Sequence, residues 1–364
     1  MKFRNVCLGL TVIPWLLLSP GCGHKPSGFY TAADFLKVSK IDVHFHYNTP
    51  DTRIMKFADS LNFRLVSPNV DAGVPIDSQL QAAVSIQKEF PGKLAFFGTF
   101  SVDSFGTAGF AEQTIARIQE RMNAGACGIK VWKNIGMVLK DRAGQYVMVD
   151  DPGFKPVFNY LEVNEIPVMG HLGEPRNCWL PLEEMTLGND FRYFTEHPQY
   201  HMYLHPEAPS YEDQINARDH LLQLHPGLFF TGAHLASLEW NVDELAKRLD
   251  TYPNLTADMT ARIGHLQYQS LKDYDKVRDF LIRYQDRIMY GTDMSAGETG
   301  TDYTTSTAGL RTTWVDDWIY LATDSAIIVN DLGDKSVKGL KLPSEVIDRI
   351  YFKNAKRFFK TNNL

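Results

Sequence analysis

The sequence predicts an α/β fold, an eight-stranded (β/α)8 barrel, on three observations. Apolar, strand-like runs recur near residues 40–46, 63–70, 94–102, 127–132, 166–171, 228–234, 254–260 and 287–292. Apolar residues at helical spacing fill the intervals between them. Several runs end in a polar residue able to bind a metal: His46, His171, His234 and Asp293. Strands alternating with helices imply a parallel sheet, and eight strands close it into a barrel. The 364 residues exceed an average domain, yet such barrels use this length as one unit. An open, doubly wound sheet is the alternative. It would place a glycine-rich phosphate turn after the first strand, and the stretch from His46 to Pro50 is not one.

The elements follow in order. Ile115, Ile118 and Met122 form a helical face closed by Gly125. Val242, Leu245, Ala246 and Leu249 form the cleanest stripe, with Asn241 before it and Glu244 three positions on as a helix start. Ser344, after Pro343, begins the last helix, with Ile347, Ile350, Tyr351 and Phe358 on one side. Two connections, 174–212 after strand five and 294–343 after strand eight, are too long for turns. Both follow a strand's C-terminal end and are read as a substrate cap. The first carries Arg176, Trp179, Tyr193, His197, His201, Tyr203 and His205; the second carries Asp302, Tyr303, Arg311, Trp314 and Trp318.

The N-terminus stands apart. Lys2 and Arg4 precede an apolar stretch from Val6 to Leu18, and Gly21-Cys22 follows. This resembles a bacterial lipoprotein signal, although Ser19-Pro20 departs from the usual residues before the cysteine. The expected organisation is a signal peptide at 1–22, a tether and lead-in at 23–38, and the barrel at 39–364. Cys22 would carry lipid, and the protein would be exported, periplasmic or at the cell surface, touching membrane only through that anchor. Cys127 and Cys178 would then remain, at opposite ends of neighbouring strands and too far apart to pair, so two free thiols are expected. A net charge of −6 without basic clusters excludes a nucleic-acid partner, since phosphate binding needs a cationic stripe. A small-molecule substrate remains.

The first strand carries the chemistry. Alternation places Ile41, Val43 and Phe45 on one face and Asp42, His44 and His46 on the other. The apolar set is expected outside, against the helices, and the polar set inside. Two histidines on one face can clamp an ion, or can be hydrogen-bonded core residues. His171, His234 and Asp293 end strands five, six and eight, and neutral imidazoles with one carboxylate suit zinc or a similar divalent ion.

These segments together resemble the amidohydrolase superfamily of TIM barrels, in its amidohydrolase-related branch of hydrolases and decarboxylases. The resemblance spans roughly residues 39 to 360 and includes Asp258 to Gly264 and Tyr351 to Phe358. It implies that His44, His46, His171 and Asp293 bind one divalent metal, zinc first, with manganese or iron as alternatives. It implies that Asp293 takes a proton from water, and that His234 contacts that water or the substrate. Lys130 in strand four resembles the lysine of the mononuclear branch, which does not bridge two metals.

Further candidates are weighed beside these. Arg262 and Arg176 could receive a substrate carboxylate or form rim salt bridges. Trp179 and His205 are read as substrate contacts of the cap. His197, His201 and His205 share a spacing of four, but Pro198 and Pro206 interrupt any helix that would align them. His220 and His225 are read as surface or packing residues, and His265 lies in the strand-seven loop. Glu174 and Glu239 could orient a ligand imidazole. Strand four ends without a carboxylate and Asp258 has no evident partner, which disfavours a glycosidase. No Gly-x-Ser-x-Gly elbow exists for serine hydrolysis. The expected function is a metal-dependent hydrolase of a small ester, lactone or amide. A nonoxidative decarboxylase with the same ligands is the alternative, and an inactive surface binding protein is the third.

Overall fold

The computed structural model describes residues 28–297 and 306–364. Eight parallel strands form one sheet in sequence order: β1 (Lys40–Asp42), β2 (Phe63–Pro68), β3 (Leu94–Thr99), β4 (Ile129–Val131), β5 (Val168–Gly170), β6 (Phe230–Gly232), β7 (Leu255–Asp258) and β8 (Ile288–Met289). The ring closes beyond the regular strands, where Val43 N–H donates to Tyr290 O at 3.0 Å and Asp293 N–H to His44 O at 2.8 Å. This is the expected TIM barrel, with helices outside.

Alternation sorts the strands. Val66, Phe97, Met169 and Met289 pack together inside, with Phe359 and Leu364 of the C-terminus among them. Leu65, Ile129, Val131, Val168, Phe230, Leu255 and Ile288 belong to the larger core against the helices. The first strand departs from the expected facing. Ile41 and Val43 join the interior cluster, whereas Asp42 points outward. Asp42 accepts the Trp314 indole N–H at 3.0 Å and the Thr292 hydroxyl at 2.6 Å. Regular pairing of β1 ends at Asp42, so His44 can follow Val43 inward instead of opposing it. A polar residue on the outer face is tolerated because a tryptophan across the helix layer satisfies it.

The second long connection also differs from the expected cap. It contains the helix Thr307–Ala322 and a hairpin of Ala326–Val329 with Lys335–Lys338. Trp314 and Trp318 on that helix are fully buried, and Trp314 stacks on Phe63 of β2 at 3.9 Å. They are wall residues, since their i, i+4 spacing faces the barrel. Arg311 lies exposed on the same helix, while Asp302 and Tyr303 lie outside the described residues. The first connection does fold separately, as the helix Gly188–Glu196 and short turns around Cys178, Phe194 and Met202.

The helix Val242–Thr251 begins at Asn241, whose side chain accepts Asp243 N–H, as its sequence predicts. Cys127 and Cys178 are buried free thiols, as expected. Within the lead-in, Phe29 bridges Pro343 and Phe35 is buried.

Candidate metal centre

Asp258, at the end of β7, organises this centre. One of its oxygens accepts His234 N–H at 2.8 Å and Thr260 N–H at 3.2 Å; the other lies 3.2 Å from His44 Nδ1. A carboxylate only accepts, so these partners place the His44 proton on Nδ1 and leave Nε2 as a lone pair. The partners of Asp258 are an imidazole and two backbone N–H groups. Its inward position was legible, because Leu255 and Ala257 alternate with Thr256 and Asp258; its partner 214 residues away was not.

The same logic sets the other rings. His46 Nδ1 faces Pro68 O at 3.0 Å and His234 Nδ1 faces Thr260 O at 3.0 Å, so each keeps an unprotonated Nε2. His234 Nε2 then accepts from His171 Nδ1 at 3.2 Å. His171 Nε2 is left buried without a hydrogen bond, 3.7 Å from Glu174.

Ligand atoms of His44, His46 and Asp293 lie within 4.8 Å of one another. Asp293 Oδ1 stands 3.5 Å from His44 Nε2 and 3.2 Å from His46 Nε2. Two neutral imidazoles and a carboxylate match the donor preference of a divalent ion. His171 is outside that group, one imidazole away through His234. Among the described residues this is the single cluster of metal-competent side chains, and the histidines at 197, 201 and 205 form none.

The amidohydrolase family profile matches residues 95–361. The chain belongs to the amidohydrolase family. That makes it a member of an enzyme family, as its strand-end motifs suggested. A solved amidohydrolase II is 16% identical, the alignment covering 89% of this chain and 100% of that one at a TM-score of 0.52. The 2,6-dihydroxybenzoate decarboxylase from Rhizobium is 15% identical, covering 89% and 99% at 0.49. A 5-carboxyvanillate decarboxylase from Novosphingobium aromaticivorans, complexed with manganese and 4-hydroxy-3-methoxy-5-nitrobenzoic acid, is 12% identical, covering 90% and 97% at 0.49. The likeness to the amidohydrolase II structure, at 16% identity, speaks to the fold. No curated protein matches the chain.

Electrostatics in this amidohydrolase keep the imidazoles of His44, His171 and His234 neutral. Burial, aided by the Lys130 charge and opposed by Asp258, lowers the pKa of His44 to about 4. Burial likewise pushes His171 and His234 well below the usual histidine range. For Asp258 burial acts upward, but the His44 hydrogen bond and surrounding positive charge outweigh it and hold it at about 2. Asp293 is also held well below the carboxylate range, where the surrounding imidazoles of His234, His46 and His44 outweigh burial. Lys130 reaches in from β4, its Nζ 3.2 Å from His44 Nε2, and burial lowers it to about 8.

The backbone of the amidohydrolase is strained where it presents His234. His234, Leu235, Ala236 and Ser237 all have positive φ, between 54° and 59°. Left-handed residues cost roughly 1–2 kcal/mol each, and here neighbours hold them. The Tyr211 hydroxyl donates to Ser237 O, Arg218 donates to Ala236 O, and the Ser237 hydroxyl donates to Leu172 O at 3.1 Å. Gly232 permits the fold-back, since a Cβ there would sit 2.4 Å from that of Ala236. Asp293 has φ 69°. Concentration of strain at these two residues marks a place where geometry matters more than local stability.

The other candidates of the amidohydrolase lie apart from the three ligands. Arg176 stacks on Trp240 at 4.2 Å, and its N–H donates to Glu239 at 2.8 Å. The Trp179 indole donates to Pro209 O at 3.2 Å. His205 Nε2 lies 3.1 Å from Pro198 O, and His201 Nε2 lies 2.8 Å from Leu180 O, so both ties are within the cap. Glu174 pairs with Lys133. His220 pairs with Asp150 at 2.7 Å and His225 with Glu162 at 3.0 Å, away from the centre. Arg262 is buried at the start of the helix Ile263–Lys272. A surface recess of about 610 Å³ beside Tyr146, Asp150 and Asp213 contains none of the candidate ligands.

Proposed function

We propose that this amidohydrolase is a metal-dependent hydrolase of a small ester, lactone or amide, with His44, His46, His171 and Asp293 holding one divalent ion. The convergence of His44 Nε2, His46 Nε2 and Asp293 Oδ1 carries this reading. The acceptors behind the two imidazoles already set the tautomers that coordination requires. The buried, unpaired Nε2 of His171 supports it as the fourth donor. Zinc comes first for this donor set, and manganese or iron next.

A divalent ion held there supplies Lewis acidity, polarising a carbonyl and lowering the pKa of water. Asp293 keeps 32% of its side-chain surface open, against 0% for His44 and 12% for His46. It is thus the ligand carboxylate that incoming water can reach. Ionised at neutral pH, Asp293 takes a proton from the attacking water and returns it to the leaving oxygen or nitrogen as the acyl bond breaks. Asp258 and Thr260 hold His234 rigidly beside His171, where it orients the reacting groups.

The test is metal content per chain by inductively coupled plasma mass spectrometry, followed by a screen of lactones, esters, amides and carboxylated rings. One equivalent of metal with water-dependent ring opening or acyl cleavage supports the hydrolase. Release of CO2 without water consumption would reassign the same side chains to a carboxy-lyase. Protein that takes up no metal would be a binding protein on this fold.

Export belongs to the same proposal. Residues 1–22, with Cys22 as the lipid site, lie outside the described residues, and their sequence is the support. Among the described residues no helix is long and apolar enough to cross a membrane. The mass of the mature N-terminal peptide tests this part: an acylated cysteine at position 22 supports an anchor on the periplasmic or outer face.

A further inference from the structure

The left-handed turn from His234 to Ser237 is held from one direction. The Tyr211 hydroxyl donates to Ser237 O, and the Arg218 guanidinium, further along the helix Tyr211–Leu224, donates to Ala236 O. Two helical turns separate these residues, so both stand on one face of that helix. A run of strained residues persists only while its surroundings over-determine it. These donors are therefore part of what keeps His234 in place.

The same helix begins where the cap ends. Ser210 caps it, its hydroxyl accepting Asp213 N–H at 3.1 Å, and the preceding Pro209 O accepts the Trp179 indole N–H at 3.2 Å. Trp179 belongs to the first turn of the cap, Arg176–Trp179. That turn rests on two rings. Trp179 lies edge-on to Tyr211 with 5.6 Å between centroids, and the Arg176 guanidinium lies over Trp240 at 4.2 Å. A hydrogen bond of 2.7 Å, from the Trp240 indole to the Tyr211 hydroxyl, joins the two rings.

The direction of the protons in this joint is fixed. An indole N–H only donates, so the Tyr211 oxygen accepts from Trp240 and sends its own proton to Ser237 O. Burial raises the pKa of the phenol, which keeps that proton in place. The Ser237 hydroxyl reaches Leu172 O at 3.1 Å and Gly173 O at 3.2 Å, on the chain that leads from His171 into the cap. A shift of the cap at Trp179 thus displaces the donor that holds Ser237 O, three residues from His234.

We propose that Tyr211 is a positioning residue for His234, and that with Trp240 it forms the joint through which the seated cap holds His234 in its working position. Its hydroxyl is committed to Ser237 O and Trp240, so it acts through the left-handed turn. The consequence for the reaction rests on the metal-centre reading given above, in which His234 orients the reacting groups.

The test reads amide hydrogen exchange by mass spectrometry in full-length protein supplied with zinc, in a peptide covering residues 234–240 and a control peptide from the helix Phe110–Asn123. Tyr211→Phe keeps the ring beside Trp179 and deletes both hydrogen bonds. It should speed exchange at 234–240 about tenfold and leave the control unchanged. Trp179→Leu, which alters only the cap side, should speed the same peptide, and the double variant should exchange no faster than Tyr211→Phe alone. On the ester, lactone or amide found by the screen, Tyr211→Phe should lower kcat about tenfold with KM and metal content held. Unchanged exchange in either single variant, or additive acceleration in the double one, overturns the joint. Faster exchange with full kcat leaves Tyr211 a structural residue and overturns its positioning role. Should Tyr211→Phe fail to fold, Trp240→Phe, which removes the indole donor, must show the same changes in exchange and kcat, and their absence overturns the proposal. Protein without metal or turnover overturns the metal-centre reading, whereas the exchange comparison decides the joint in either case.

Discussion

Asp258 stands 3.2 Å from the Nδ1 of His44, and this contact decides which nitrogen of His44 faces Asp293. The same carboxylate accepts His234 N–H, so one side chain braces two imidazoles on different strands. Asp258→Asn keeps the shape and removes the charge that favours the Nδ1 proton. Metal affinity is expected to fall about 10–100-fold with the fold retained. Competition with a chromogenic chelator measures it, and unchanged affinity would remove Asp258 from the centre.

His44→Ala and Asp293→Ala should each abolish turnover and metal binding, because each deletes one of three converging donors. His234→Ala should retain the metal and lose rate, since its nitrogens are spent on Thr260 O and His171. Metal analysis beside turnover separates these outcomes. Full metal and full activity in Asp293→Ala would end its assigned role.

Trp314→Phe should act on stability and leave substrate affinity alone. It removes the indole donor to the buried Asp42 and trims the stack on Phe63. Asp42 keeps the Thr292 hydroxyl but loses one donor, and a hydrogen bond to a carboxylate is worth about 1.5–3 kcal/mol, to be read as a shift in the urea midpoint. A changed KM at unchanged stability would restore Trp314 to the cap.

Lys40 gives a pH signature. It is fully buried, its Nζ donates to Phe35 O and Val38 O, and burial lowers its pKa from 10.5 to about 7. Between those values the unfolded chain binds more protons than the folded one, so stability rises with pH from about 7 toward 10. The slope is at most ~1.4 kcal/mol per pH unit. Lys40→Met should flatten that rise in urea denaturation at pH 7, 8 and 9. Parallel curves for the two proteins would mean that the lysine stays charged in the fold.

Period and punctuation alone determined the barrel, its strand positions, the helix after Asn241 and the histidines at the strand ends, because these depend on residues near one another in the chain. Tertiary structure decided what depends on distant partners. Simple alternation put Asp42 inside; closure between Val43 and Tyr290, and the pull of Trp314 from 272 residues away, put it outside. Trp314 and Trp318 looked like cap residues because nothing in their own segment reveals Phe63 or Thr31 as their partners. The braces on His44 and His234 exist only once eight strand ends meet at one rim. Sequence selects which groups stand at that rim, and packing then settles which of them share protons and which are left without a partner.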